Sequence, residues 1–486
     1  MTRVARTELI EASRWGVSPA AIPALAGRLQ GFCQRYGGCF RTATRDASRY
    51  AQPYVSALLR MESKRTFANI GRQVGMPGQN VQHFMTNSPW PAADVLRQVR
   101  QEVAARAELQ RGGVLVLDES AVRKAGTKTV GAARQWNGRI GHVDLSRVGT
   151  FLAYANGPVW TWVDGELFLP ERWFSPELAD ERRRLGVPTD RTFETKVELG
   201  WQMIRRVQAE GLPFEAVGCD ELYGRSGWLR AQLDAARIVY LANVPADTRI
   251  YLEALRLEVP ETPPGHIGPH FKRPRIQATA PAIEARALAV RPDTAWHRIR
   301  VRPVERGELA DEFAAWRVWT IRDDAVAQEW LLVRRTAQGK CSYTLSNAPP
   351  DTPLERLAHL RCQRYWVERA NQDAKSEAGW DELQAQKYRA WEHHLALTIL
   401  ATWFVAETKL DWAREHPRDP SLVTDFATDR LPDLSVANVR AMLRAALPLP
   451  DLTPDRAAAL VVEHLVNRTR SRRSRRTRQL HLGHDP

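Results

Sequence analysis

The sequence has few cysteines and pairs none of them. Cys33, Cys39, Cys219, Cys341 and Cys362 are odd in number, scattered, and never spaced as Cys-x-x-Cys. That pattern excludes a disulfide framework and a cysteine zinc site, and it fits a reducing cytosol. Long apolar runs are missing as well. The longest, from Leu395 to Val405, is broken by Thr398 and Thr402 and is too short to cross a bilayer. The opening residues, Met-Thr-Arg-Val-Ala-Arg-Thr-Glu, lack the apolar stretch of a signal peptide. No internal repeat is visible. These absences lead to the expectation of a soluble, cytoplasmic protein without a membrane partner.

Negative charge is in deficit: 56 Asp and Glu stand against 70 Lys and Arg, a net charge of +14. Such an excess favours a polyanionic partner, because each neutralised phosphate releases condensed counterions. Arg is used far more than Lys, which suits bidentate phosphate and guanine contacts and would equally follow from GC-rich coding. The rest of the composition is globular. With 44% hydrophobic residues and 17 tryptophans the chain can build sizeable cores, and its 486 residues correspond to roughly three units of about 150 each.

Residues 1–108 read as a helical DNA-binding region. Arg65 to Gly75 has apolar residues at helical spacing, Met76-Pro-Gly78 makes a turn, and Gln79 to Met85 starts a second short helix. Two helices joined by a Gly-containing turn outline a helix-turn-helix, with Gln79, Asn80, Gln82 and His83 as its readers, or an ordinary helical hairpin. Residues 109–245 change period. Gly113-Val-Leu-Val-Leu117 is a buried-strand run ending in Asp118, and Phe214 to Cys219 is another ending in Asp220. Strand-like runs from Gly149 to Ala155, Pro158 to Val163 and Ile238 to Ala242 alternate with helices over Lys196 to Glu210 and Gly227 to Ala236, the order of an α/β domain. Residues 246–350 are interrupted by Pro260, Pro263, Pro264, Pro269 and Pro274, then alternate over Trp316 to Ile321 and Glu329 to Arg335, as in antiparallel strands. Residues 351–412 return to helical periodicity, over Leu354 to about Ala378 and over Tyr388 to Leu410. Residues 413–486 hold a Pro-rich linker, a helix near Asp455 to Val466, and a cationic run from Arg468 to Arg478 that could add phosphate affinity.

Ligands of open α/β sheets bind at the carboxyl ends of strands, where Asp118 and Asp220 are expected. Hard divalent cations need oxygen ligands, and phosphoryl transfer gains from two ions about four ångströms apart. An Asp after an apolar strand can equally be a turn or cap residue. Further along, Arg364, Glu368 and Lys375 share one face of a helix, as an active constellation or as a row of surface ion pairs.

Three blocks resemble a known family. They are Leu115-Val-Leu-Asp-Glu-Ser120, continuing through Arg123-Lys124 to Arg134-Gln135, then Cys219-Asp-Glu-Leu-Tyr-Gly224, and Arg364-Tyr-Trp-Val-Glu368 to Lys375. The chain is similar to DDE transposases of bacterial insertion sequences, in the insertion-sequence-four superfamily and nearest its seven-oh-one branch. The resemblance implies an α/β, RNase H-like catalytic core interrupted by a β-rich insertion over 246–350, with helical regions at both ends. It implies a triad of Asp118, Asp220 and Glu368 binding two Mg2+ (or Mn2+) ions, with Glu119 the alternative one residue on from Asp118. It also implies DNA cleavage and strand transfer at terminal inverted repeats, a target DNA, a homodimer in the synaptic complex and a bacterial, nucleoid-associated location. A metal nuclease without strand transfer, or a catalytically inactive domesticated DNA-binding protein, are the alternatives. Arg364 and Lys375 match the family's Tyr-Arg-Glu-Lys signature, in which the Arg and Lys contact DNA. The Tyr position is Arg361 here, so no aromatic hydroxyl is available there, and Arg361 is expected among the DNA-contacting residues together with Arg123, Lys124 and Arg134. Arg123, Lys124, Lys128, Arg134 and Arg139 form an expected basic loop beside the metal site. Trp316, Trp319 or Trp330 of the insertion either stacks on a base or packs in the core. His393 and His394 are expected on a helix surface.

Overall fold

The apolar run Val114-Leu-Val-Leu117 is fully buried, because both faces of its strand are covered. This strand is the centre of a ten-stranded mixed sheet in a computed structural model describing residues 11–138, 140–261, 274–304, 307–428 and 430–447, with scattered positions from 453 to 473. The first six strands are β1 (Val114–Arg123), β2 (Ala133–Asn137), β3 (His142–Asn156), β4 (Val159–Leu167), β5 (Ala216–Cys219) and β6 (Val239–Val244). β1 pairs antiparallel with β3 on one side and parallel with β5 on the other. β3 continues to antiparallel β4 and β2, and β5 continues to parallel β6. The expected α/β pattern is therefore present, with β2 added where a basic loop was expected.

The passage after β6 is rich in strands, and its last strand joins the central sheet. Two small ribbons come first: β7 (Arg249–Ile250) with β10 (Ile283–Glu284), and β8 (Leu255–Glu258) with β9 (Arg275–Ala278). Pro263, Pro264 and Pro269 lie outside the described residues. An antiparallel meander follows, of β11 (His297–Val304), β12 (Gly307–Arg322), β13 (Ala325–Arg335) and β14 (Cys341–Ser346). β14 then pairs antiparallel with β6, Tyr343 opposite Val244. The meander so extends the central sheet and covers an edge that would otherwise leave β6 with unpaired backbone groups.

Among the described residues five α-helices precede the sheet: α1 (Ala24–Arg35), α2 (Ser48–Arg60), α3 (Phe67–Val74), α4 (Gly78–Thr86) and α5 (Ala92–Ala105). The hydroxyl of Thr66 caps α3 by accepting from the Asn69 N–H, and Gly75 ends it at φ 71°. α3 and α4 cross through glycines: a Cβ on Gly71 would lie 2.6 Å from the Met76 carbonyl, and one on Gly78 2.8 Å from the Ala68 Cα. The two-helix turn expected from the sequence is formed, with Gln79, Asn80, Gln82 and His83 all exposed on α4.

Five more helices lie among the strands: α6 (Ala179–Leu185), α7 (Lys196–Ala209), α8 (Glu221–Gly224), α9 (Gly227–Ala235) and α10 (Ala285–Ala289). After the sheet come α11 (Leu354–Cys362), α12 (Tyr365–Ser376), α13 (Tyr388–Glu415), α14 (Ser421–Asp425) and α15 (Val436–Ala446). One continuous helix was expected over Leu354 to Ala378, but it breaks at Gln363–Arg364. Leu357 and Ala358 of α11 pack on Ile299, Phe313 and Leu332 of the meander, whereas α12 packs on β1, β3 and β4. The stretch read as a Pro-rich linker contains α14 and α15. Of the expected terminal helix, the positions described between 455 and 466 are helical, as are 468–470, 472 and 473 of the cationic run; the others lie outside the described residues.

α13 runs through the interior, buried from Leu395 to Ala401 and again from Trp403 to Ala406. This explains its apolar composition; among the described residues no helix is long and apolar enough to cross a membrane. It also corrects the expectation for His393 and His394, which are 1% and 2% exposed. α2, α4, α5 and β4 pack around this helix and leave it no surface there. The His393 ring stacks on Trp90, centroids 3.6 Å apart, with Nδ1 and Nε2 at 3.0 and 2.9 Å from the Met85 and Trp90 carbonyls. His394 meets the Tyr54 hydroxyl at 3.1 Å and the Trp380 carbonyl at 3.2 Å. Burial pushes the two imidazoles down to about 4 and about 3.

A buried cation ties the amino-terminal helices to the sheet. Arg100 of α5, 2% exposed, donates to both Glu210 carboxylate oxygens at 2.5 and 2.9 Å and to the Val163 carbonyl at 3.0 Å. Asp164, 3.5 Å from the same guanidinium, also accepts from Arg206 at 2.8 Å. Arg100→Ala would take this donor from Glu210 and the Val163 carbonyl, leaving Asp164 its pair with Arg206, and is expected to cost about 3–5 kcal/mol, read as a lower denaturant midpoint. Arg183→Ala, which loses only a pair with the 91% exposed Asp180, should stay within about 0.5 kcal/mol of the parent.

Candidate active site

Asp118 does not end its strand. β1 runs on to Arg123 because β3 pairs with it as far as Arg123 opposite Ser146. The parallel partner β5 stops earlier, at Leu117 opposite Cys219, so Asp118 and Asp220 are the next residues on two adjacent strands. They stand at the carboxyl end of the parallel pair, where strand backbone gives way to an open edge. Asp220 also caps α8, accepting at Oδ1 from the Leu222 and Tyr223 N–H groups at 3.0 and 3.4 Å. The cap and ligand readings of this residue are thus compatible, since Oδ2 makes no part of the cap.

Asp118 accepts at Oδ1 from the Glu119 N–H, 2.8 Å, and at Oδ2 from the Asn371 side-chain nitrogen, 3.1 Å. Burial, and then the charge of Asp220, push its carboxyl up to about 7. Glu119 is placed differently, as alternation along a strand requires. Its Oε1 is paired with the Lys196 ammonium at 3.1 Å, and burial holds its carboxyl above the ordinary range. Of the two neighbouring acids, Asp118 is the one without a cationic partner at salt-bridge distance among the described residues.

Glu368 lies in the first turn of α12 and lines, with Asp118 and Asp220, one cleft of about 840 Å³. Its side chain is 53% exposed and pairs with Arg364 at 2.6 Å. Among the described residues no three potential ligands are gathered closely enough to hold one metal ion. What places α12 is β4. Trp160 and Trp162 alternate onto one face of that strand, and their indole N–H groups donate to Asp373 Oδ2 at 2.7 Å and Asn371 Oδ1 at 2.9 Å. Trp160 also stacks on Trp366, centroids 4.5 Å apart.

The expected DNA-contacting residues separate into two groups. Arg364 is the cap residue just before α12 and Lys375 lies in its last turn, where it lines the cleft. Arg123, 77% exposed, pairs with Asp144, while Lys128 and Arg134 are also exposed, Arg134 on β2 rather than in a loop. Arg139 lies outside the described residues. Lys124 and Arg361 are turned inward. Lys124 donates to the Leu383 carbonyl at 2.9 Å, and burial pushes its amine down to about 7. Arg361, 7% exposed, donates to the Thr344 and Ser342 hydroxyls at 2.9 and 2.6 Å and so joins α11 to β14. Trp316, Trp319 and Trp330 are half-buried; Trp330 donates to the Pro349 carbonyl at 3.1 Å. A tryptophan that does reach the cleft, 56% exposed Trp136 on β2, went unnoticed in the sequence because β2 has only five residues and no alternation of apolar and polar side chains. Asn371 was missed too, although it stands one helical turn from Glu368.

Residues 35–308 match the family described as DDE superfamily endonucleases, and the chain belongs to that family. The matched span contains Asp118 and Asp220 and ends before Glu368. The chain is also similar to the probable transposase for insertion sequence element IS701 of Microchaete diplosiphon. The two are 26% identical over 359 residues, 74% of this chain and 81% of that protein.

The raised Asp118 carboxyl has a consequence for stability. Below about pH 4 it is neutral whether the chain is folded or not. Between about 4 and about 7 the unfolded chain releases the proton while the folded chain keeps it, so folding is progressively disfavoured. Asp118→Asn is therefore expected to raise the melting temperature by several degrees at pH 7.5, and the gain should vanish at pH 4.

Proposed function

We propose that the chain is a DDE-type DNA transposase that excises and integrates an insertion sequence by metal-dependent phosphodiester hydrolysis and strand transfer. The observation that carries this reading is the placing of Asp118 and Asp220 on adjacent parallel strands, in one cleft with Glu368 of α12. The strand order β4-β3-β1-β5-β6, antiparallel in its first three strands and parallel thereafter, supports an RNase H-like core. The name of the relative from Microchaete diplosiphon supports transposition as the purpose of the cutting.

The donor set fits hard divalent cations: it is all oxygen, and burial together with the neighbouring charge of Asp220 raises the Asp118 carboxyl, which an added cation would offset. Asp118, Asp220 and Glu368 would hold two Mg2+ or Mn2+ ions, whose charge activates the attacking oxygen and stabilises the departing one. In the first reaction water attacks the phosphodiester at the element end, the P–O bond to the 3′-oxygen breaks, and a 3′-hydroxyl is released. In the second that hydroxyl attacks a target phosphodiester and displaces its 3′-oxygen. Arg364, now paired with Glu368, and Lys375 supply positive charge beside the phosphates. Arg123, Lys128 and Arg134 extend that charge along the adjoining hairpin. α4 presents Gln79, Asn80, Gln82 and His83 to the bases of a terminal inverted repeat, with two copies of the chain joining two ends.

Metal-dependent cleavage and joining of DNA carrying the flanking inverted repeats tests this. Asp118→Ala, Asp220→Ala and Glu368→Ala should each lower activity by about a thousandfold or more while end binding persists. Full activity in Glu368→Ala would remove it from the triad. Cutting without joined products would make the protein a nuclease, and binding without cutting would make it a DNA-binding protein alone.

A further inference from the structure

The side chain of Asn371 bridges the sheet and the helix that carries Glu368. An amide offers a nitrogen that donates and an oxygen that accepts, and its shape alone does not say which points where. The surroundings do. An indole N–H can only donate, so the Asn371 atom 2.9 Å from Trp162 Nε1 is the oxygen. The nitrogen is thereby turned to Asp118 Oδ2, 3.1 Å away. Trp162 is itself held fast: it is 1% exposed, stacked on Phe151 with centroids 4.2 Å apart, and edge-on to Trp380 at 5.4 Å. Phe151 is the β3 residue directly opposite Asp118. The loop of contacts closes on itself, from Asp118 to Phe151, Trp162, Asn371 and back to Asp118.

We propose that Asn371 is a positioning residue for cation binding. Oriented by Trp162, it fixes the Asp118 carboxylate and couples it to the helix bearing Glu368. This rests on Asp118, Asp220 and Glu368 being the divalent-cation ligands. With the Glu119 N–H on Oδ1 and Asn371 on Oδ2, each Asp118 oxygen has one donor and keeps a lone pair for an ion. Removing one of these donors frees the carboxylate to rotate, so binding must then also order it. The separate bond from Trp160 to Asp373 still ties α12 to β4 when Asn371 is replaced, which makes the substitution informative.

The test is Mn2+ binding to the full-length chain without DNA, followed by the electron paramagnetic resonance of the free ion. Parent, Asp118→Ala, Asn371→Leu and Trp162→Phe are compared, with circular dichroism melts to confirm folding. Asn371→Leu matches the asparagine in shape but cannot donate. It should weaken Mn2+ binding by about tenfold or more. Trp162→Phe keeps a ring in the stack and removes only the orienting N–H, so a smaller weakening in the same direction is expected. If Asn371→Leu melts early, Trp162→Phe carries the comparison. End cleavage by Asn371→Leu should fail at low Mn2+ and recover at high Mn2+, which a general packing defect would not produce. Parent-like Mn2+ affinity in both variants, with weakened binding in Asp118→Ala, overturns the role of Asn371 alone. Parent-like affinity in Asp118→Ala overturns the carboxylate reading, and the proposal with it.

Discussion

The site depends on how one helix is registered against one strand. α12 has only three turns and a polar composition, so its own propensity would not set its height above the sheet to within an ångström. Two indole N–H groups do. Trp160 and Trp162 alternate along β4, both face α12, and each finds an oxygen on it, Asp373 for the first and Asn371 for the second. An indole is a rigid plane with a single donor, so each bond constrains both direction and distance. Sliding α12 by one residue would misalign both bonds together and carry Glu368 away from the cleft that Asp118 and Asp220 line.

Electrostatics at the same place run against the rest of the chain. A protein with a net charge of +14 gathers acids at the mouth of its parallel strands, and the cations nearest by are mostly committed elsewhere. Lys196 neutralises Glu119, Lys124 and Arg361 are spent on internal carbonyl and hydroxyl oxygens, and Arg364 holds Glu368. Asp118 is left buried beside the charge of Asp220, and its burial first and that charge second make ionising it costly in the free chain. The same residue types therefore serve opposite ends: buried arginines such as Arg100 hold the scaffold, and uncompensated aspartates keep the site receptive.

The sheet shows how topology overrode a reading by passages. Residues 297–346 look in sequence like an independent antiparallel unit, and locally they are one. Their last strand nevertheless completes the core, because β6 would otherwise present an unpaired edge and β14 has the complementary one. Arg361 belongs to the same joint. Its place at the signature's Tyr position led to the expectation of a DNA contact, but the hydroxyls of Ser342 and Thr344 on β14 are within reach and draw it inward.

By itself the sequence determined the elements and the chemistry each could carry. Continuous apolar runs marked β1 and β5, because strands covered on both faces admit nothing else, and they brought Asp118 and Asp220 with them. Helical spacing placed Arg364 and Glu368 one turn apart, and the glycine-bounded turn between α3 and α4 was legible for the same local reason. Only the tertiary structure decided that Glu119 of the Asp118-Glu119 pair is the one bound to Lys196, that His393 and His394 are interior, that Trp136 reaches the site, and that Asn371 binds Asp118. Each of these depends on what comes to lie opposite a side chain from a segment tens to hundreds of residues away, and hydrogen bonds and burial between such segments leave no periodic trace in the sequence.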